Sequence, residues 1–121
     1  MILGLRTVIY RVPDLEKAKT WYTKAFQVNP YFDEPFYVGF NVGGYELGLL
    51  PDEHPSATKT QNILTYWGVE NITEAYQRFL DAGAKGNEKP EHVGESIMVA
   101  TVKDPWDNVI GLIYNPSFKL P

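Results

Sequence analysis

The chain has 121 residues, a formal net charge of −4, 44 % hydrophobic residues and 21 % charged ones, the make-up of a globular protein and not of a disordered or fibrous one. Lys and Arg are scattered and outnumbered by Asp and Glu, so a nucleic-acid partner is not expected, because phosphate neutralisation needs clustered cations. No cysteine is present, which excludes disulfide scaffolds, thiolate metal ligands and thiol nucleophiles together.

Residues 1–6 are too short for a signal-type apolar stretch, and no apolar run approaches a membrane span. A cytoplasmic protein without a membrane partner is the expectation. Residues 7–12 (T-V-I-Y-R-V) read as a strand of β-branched and aromatic residues. Pro13-Asp14 opens a helix with Asp14 as N-cap, and Leu15, Ala18, Tyr22, Ala25 and Phe26 form its apolar stripe before Asn29-Pro30. Three extended segments follow near 31–34, 36–42 and 45–50, the last two joined by the hairpin signal Gly43-Gly44.

Fifty-seven residues on, the pattern repeats. Residues 64–69 (L-T-Y-W-G-V) read as a strand, Asn71 stands where Asp14 stood, and Ile72, Ala75, Tyr76, Phe79 and Leu80 form a second stripe ended by Gly83 and Gly86. Extended segments recur near 85–91, 96–103 and 109–114. The expected organisation is one α+β domain over 1–121 made of two βαβββ modules. These occupy 1–50 and 62–116, with a polar linker at 51–61 and a tail at 117–121.

Alternation along the strands divides their faces. Val8, Tyr10, Val12, Phe36, Val38, Phe40, Tyr45, Leu47 and Leu49 are expected under the first helix, with Trp67, Ile110, Leu112 and Tyr114 under the second. The opposite faces then carry Thr7, Ile9, Arg11, Tyr37, Gly39, Asn41, Glu46, Leu64, Tyr66, Gly68, Gly111 and Ile113. Aromatic and aliphatic bodies with a few polar groups are the lining of a small-molecule site, and equally of a plain core between two sheets. The aromatic share of 14 %, with eight Tyr and three Trp, points to a lined pocket or an oligomer interface.

Segments 11–26 (R-V-P-D-L-E-K-A-K-T-W-Y-T-K-A-F) and 104–112 (D-P-W-D-N-V-I-G-L) resemble the vicinal oxygen chelate superfamily, which includes glyoxalase I, extradiol dioxygenases and bleomycin-resistance proteins. The resemblance implies two modules forming a curved mixed sheet or half-barrel with a concave pocket, and commonly a homodimer. It also implies a divalent metal held by one residue from each first and each fourth strand. Carried over by position, the first-strand ligands fall on Thr7 and Leu64 and the fourth-strand ligands on Glu46 and Gly111. Of these, only Glu46 keeps a donor suited to a divalent ion. The metal site is therefore expected to be lost and no cofactor is expected.

The expected function is binding of a small organic molecule in the pocket without metal, with Thr7, Ile9, Tyr37, Asn41, Glu46, Leu64, Tyr66, Gly111 and Ile113 as ligand contacts. The alternative is a lyase, isomerase or dioxygenase-type enzyme with Glu46 as catalytic base or with a non-standard metal site drawing on His92. A regulatory dimerisation module is a third reading. Desolvation of Glu46 among Leu64, Ile9 and Ile113 is expected to raise its pKa. His54 and His92 read as ordinary polar residues, Asp104 and Asn108 as turn formers, Asp107 as a residue with positive φ, and Trp106 as a rim aromatic.

Overall fold

A computed structural model describes residues 1–59, 62–94 and 96–120. The chain divides into two compact units, Met1–Thr58 and Lys59–Pro121. The division falls inside the expected 51–61 linker; Thr60 and Gln61 of that linker and Pro121 of the tail lie outside the described residues.

In the first unit β1 (Thr7–Val12) leads into α1 (Leu15–Phe26), followed by β2 (Phe32–Glu34), β3 (Tyr37–Val42) and β4 (Tyr45–Pro51). Asp14 caps α1, its Oδ1 accepting from the Lys17 backbone N–H at 3.1 Å. The helix stops at Phe26 because Gln27 turns left-handed (φ 56°), three residues before the expected Pro30 stop. The sheet order is β1-β4-β3-β2. Strand β1 runs parallel to β4, as a crossover through a helix requires, while β3 is antiparallel to both its neighbours.

One face of this sheet is closed by α1. Tyr10, Val12, Val38, Phe40, Leu47 and Leu49 are buried there with Ala18 and Tyr22 of the helix. Tyr10 stacks on Tyr22 with ring centroids 5.6 Å apart. Asp33 pairs with Val38 on this side and its carboxylate meets Lys19 of α1 at 3.0 Å. Phe36 corrects the expected pattern: it is not under the helix but 64 % exposed, because it sits in the turn between β2 and β3, where strand alternation does not apply.

The second unit repeats the plan. Strand β5 (Tyr66–Gly68), α2 (Ile72–Asp81), β6 (Lys85–Gly94), β7 (Ile97–Lys103) and β8 (Val109–Tyr114) give the order β5-β8-β7-β6. Asn71 caps α2 through the Glu74 N–H at 3.0 Å, the role Asp14 plays 57 residues earlier. Ala100, Val102, Ile110 and Leu112 are buried with Ile72 and Phe79. Strand β5 is shorter than the expected 64–69: Leu64 precedes it and is 41 % exposed.

The Asp104–Asn108 turn closes on itself as expected of its residue types. The buried Asp104 carboxylate accepts from the N–H groups of Trp106 and Asn108, both at 2.8 Å, and from the Asn108 side-chain amide at 2.9 Å. Asp107 has φ 67°. Two helices and two four-stranded mixed sheets in tandem βαβββ order make an α+β architecture. No helix among the described residues is long and apolar enough to cross a membrane.

In the first sheet Gly39 of β3 and Gly48 of β4 pair directly. A Cβ on Gly48 would collide with the Tyr37 phenol, which lies across it. Gly48→Ala should therefore cost about 1–3 kcal/mol of stability by urea unfolding. The same change in a Tyr37→Ala background should cost clearly less, because the colliding ring is gone.

Candidate functional site

The face of the first sheet opposite α1 carries one polar cluster on the glycine floor. Thr7 of β1 and Glu46 of β4 are register partners, so their side chains stand side by side. Thr7 Oγ1 donates to Glu46 Oε1 at 2.8 Å. The other carboxylate oxygen, Oε2, accepts from the Tyr31 hydroxyl, and the Tyr37 phenol lies near enough to feel the Glu46 charge. Small residues make these approaches possible. A Cβ at Gly39 would come within 2.9 Å of Glu46 Oε2 and 3.0 Å of the Tyr31 ring. Tyr31 is anchored over that glycine by its backbone N–H, which donates to the Gly39 carbonyl at 2.9 Å.

The neighbouring hydroxyls decide the charge of Glu46. The hydrogen bond from Tyr31 is the largest influence and lowers the pKa, partial burial opposes it, and the nearby Thr7 and Tyr37 hydroxyls lower it further. The net direction is below the ordinary carboxylate value. This corrects the expected upward shift, which assumed an apolar surround without donors. Tyr31 is correspondingly raised, first by the bond it gives Glu46. Tyr37 is pushed up to about 12, first by burial and then by the nearby Glu46 carboxylate.

Aromatic rings flank the cluster. Phe32 and Glu34 of β2 share its face through their pairing with Gly39 and Tyr37. Phe32 lies 6.5 Å from Tyr31, 6.1 Å from Tyr37 and 5.9 Å from Phe36 between ring centroids, tilted to all three. Ile9, paired with Gly48, stands on the same face and is 51 % exposed.

Of the candidate contacts, the structure brings together Thr7, Tyr37 and Glu46, with Ile9 beside them. Asn41 faces the same way as the register partner of Glu46, but its Oδ1 accepts from the Gly44 N–H at 2.8 Å and serves the hairpin turn. Leu64, Tyr66, Gly111 and Ile113 belong to the second unit. There Tyr66 pairs with Gly111, and a Cβ on Gly111 would collide with the Thr65 carbonyl. That unit's own polar group is Thr101, 2 % exposed, which accepts from Asn87 Nδ2 at 2.9 Å and donates to Glu88 Oε1 at 3.0 Å. His54 and His92 are both exposed, and Trp106 is half-buried. Tyr31 was not singled out by sequence pattern. It precedes β2, and the signal available for it was only an aromatic residue just after Pro30.

The register also revises the internal equivalence of the two modules. Ile9 pairs with Gly48 and Tyr66, 57 positions later, pairs with Gly111. The counterpart of Gly111 is therefore Gly48, and Glu46 lies two residues earlier on the same face.

The family model of the Glyoxalase/Bleomycin resistance protein/Dioxygenase superfamily matches residues 4–112. The chain belongs to this superfamily. No curated protein matches it. Among solved structures it is similar to a glyoxalase-related enzyme from Fulvimarina pelagi, at 16 % identity over 99 % of this chain and 94 % of that one, with TM-score 0.79. It is also similar to the genomically encoded fosfomycin resistance protein FosX from Listeria monocytogenes, at 15 % identity over 97 % of each chain, with TM-score 0.79. A third is TioX from Micromonospora sp. ML1, at 14 % identity over 92 % of this chain and 98 % of that one, with TM-score 0.72. At these identities the likeness establishes the vicinal oxygen chelate fold.

The donor set does not fit the divalent metal that such a family implies. Leu64 and Gly111 carry no donor, Thr7 offers a neutral hydroxyl, and both oxygens of Glu46 already accept hydrogen bonds. Among the described residues no three His, Cys, Asp or Glu side chains stand close enough to share an ion.

The cluster makes a spectroscopic prediction. In a tyrosinate absorbance titration, at least one of the eight tyrosines should ionise near pH 12, the value to which Tyr37 is pushed. Glu46→Gln removes the negative charge and should move that midpoint down, leaving the parts due to burial and to Tyr31.

Proposed function

We propose that this chain binds a small organic molecule on the open face of its first module, around Glu46, Thr7, Tyr31 and Tyr37, without the divalent metal of its family. One observation carries the reading. The Glu46 carboxylate has both oxygens engaged by hydroxyls, Oε1 by Thr7 and Oε2 by Tyr31, instead of being free to coordinate. The flanking rings of Phe32 and Phe36, exposed at 37 % and 64 %, supply apolar area of the kind that small-molecule sites use.

The competing enzyme reading, with Glu46 as general base, finds less support. A base working near neutral pH gains from a raised pKa, whereas Glu46 is lowered. The exposed apolar side chains of Ile2, Leu3, Leu5 and Phe118 support a homodimer as the working assembly.

The test is thermal shift against a panel of aromatic amines, alcohols and carboxylates, each with and without chelator. Ligand at about 100 times its Kd should stabilise the fold by about 2.7 kcal/mol. The shift should persist in chelator, shrink in Glu46→Gln, and leave the ligand chemically unchanged. A shift that vanishes with chelator and returns with Zn²⁺ or Ni²⁺, or a ligand recovered as product, contradicts the proposal.

A further inference from the structure

We infer that the molecule recognised on this face is an organic cation, an amine or quaternary ammonium carried on an aromatic or apolar body, with its positive charge held between Glu46 and the rings of Tyr31, Phe32 and Tyr37. The inference rests on the proposal that this face is a binding site and adds the chemical class of its ligand.

Hydrogen-bond bookkeeping comes first. A carboxylate can only accept, and each of the two hydroxyls bonded to Glu46 has one proton to give. The structure directs those protons to Glu46 from Thr7 and Tyr31, one to each carboxylate oxygen. What remains for a ligand is the hydroxyl lone pairs, which accept and do not donate. An incoming carboxylate or phosphate would therefore meet acceptors and a like charge. A neutral hydroxyl could donate one bond. An ammonium group matches both the acceptors and the charge.

Among the described residues no cationic side chain pairs with this negative charge. The ion pairs among the described residues join Arg11 to Asp52, Lys19 to Glu16 and Asp33, and Lys85 to Asp107, and none includes Glu46. Two of the basic residues named on or under the first sheet, Arg11 and Lys19, are thus engaged elsewhere.

The rings supply the second attraction. Phe32 is tilted 55° to Tyr31 and 56° to Tyr37 at centroid separations of 6.5 and 6.1 Å, so the three do not close on one another as a flat stack. Faces of such rings attract a cation placed within about 6 Å of their centroids. Tyr31, 63 % exposed, and Phe32 stand at the solvent side, where an entering group would meet them. Phe36, in T-shaped contact with Phe32, extends the apolar surface for the ligand body.

The test uses three probes of one shape: benzyltrimethylammonium, benzyl alcohol and benzoate. Each is titrated into uniformly 15N-labelled full-length protein while the backbone amides are followed. The cation should shift the amides of Gly39, Glu46 and Gly48 saturably, about tenfold more tightly than the alcohol, with benzoate weakest. Glu46→Gln and, separately, Phe32→Leu should each weaken the cation by several-fold, the fold of each variant being checked by its own amide spectrum. Two variants are used because Glu46→Gln also disturbs the hydroxyls of Thr7 and Tyr31.

Alcohol or benzoate binding at the same amides as tightly as the cation would overturn the charge inference and leave the site standing. Failure of all three probes to move these amides would overturn the inference and the site together. Cation binding unchanged in both variants would overturn the inference as well.

Discussion

A carboxylate standing on the exposed face of a sheet needs donors, and Glu46 draws them from Thr7 on β1 and Tyr31 ahead of β2, with the Tyr37 phenol of β3 nearby. That convergence depends on the glycine pair beneath it. With side chains at Gly39 and Gly48 the two phenols could not lie flat enough to reach the carboxylate. The parallel register that sets Thr7 beside Glu46 comes in turn from the β1–α1 crossover and the packing of Tyr10 on Tyr22. The polar cluster is thus a consequence of how the opposite, apolar face is packed. Its stability contribution follows the sign of the Glu46 shift, present above the ordinary carboxylate pKa and lost as pH falls through the lowered one.

Membership of the glyoxalase, bleomycin-resistance and dioxygenase superfamily accounts for the architecture and leaves the chemistry to be read from the side chains. The two modules share strand order, caps and helix packing, yet their open faces differ. The first carries an ionised carboxylate among hydroxyls and rings, the second a buried threonine between an amide and a glutamate. On the register, both modules place a glycine at the equivalent fourth-strand position, Gly48 and Gly111. Each of these glycines gives its room to a tyrosine or a backbone carbonyl, where a ligating side chain would need it.

Much of the fold was legible because it rests on repetition. Asp14 and Asn71 cap helices 57 residues apart, and strict alternation identified Leu47, Leu49, Ile110 and Leu112 as core. The same rule failed at Phe36, which a turn takes out of the pleat, and at Leu64, which stands before its strand begins. The site was half legible. Thr7, Tyr37 and Glu46 fall on one face by counting, whereas Tyr31 reaches that face from outside the strand, through a bend that no period of two describes. Missing Tyr31 also reversed the expected charge behaviour of Glu46, because its strongest donor was absent from the reckoning.

The most direct measurement is the side-chain carboxyl 13C shift of Glu46 followed by NMR as pH is lowered, assigned by comparison with Glu46→Gln. The account predicts a titration midpoint below 4.5, the ordinary glutamate value, with the amides of Thr7 and Tyr31 responding at the same midpoint. A midpoint at or above 4.5 would contradict it, since the hydroxyl donors would then fail to outweigh the cost of partial burial.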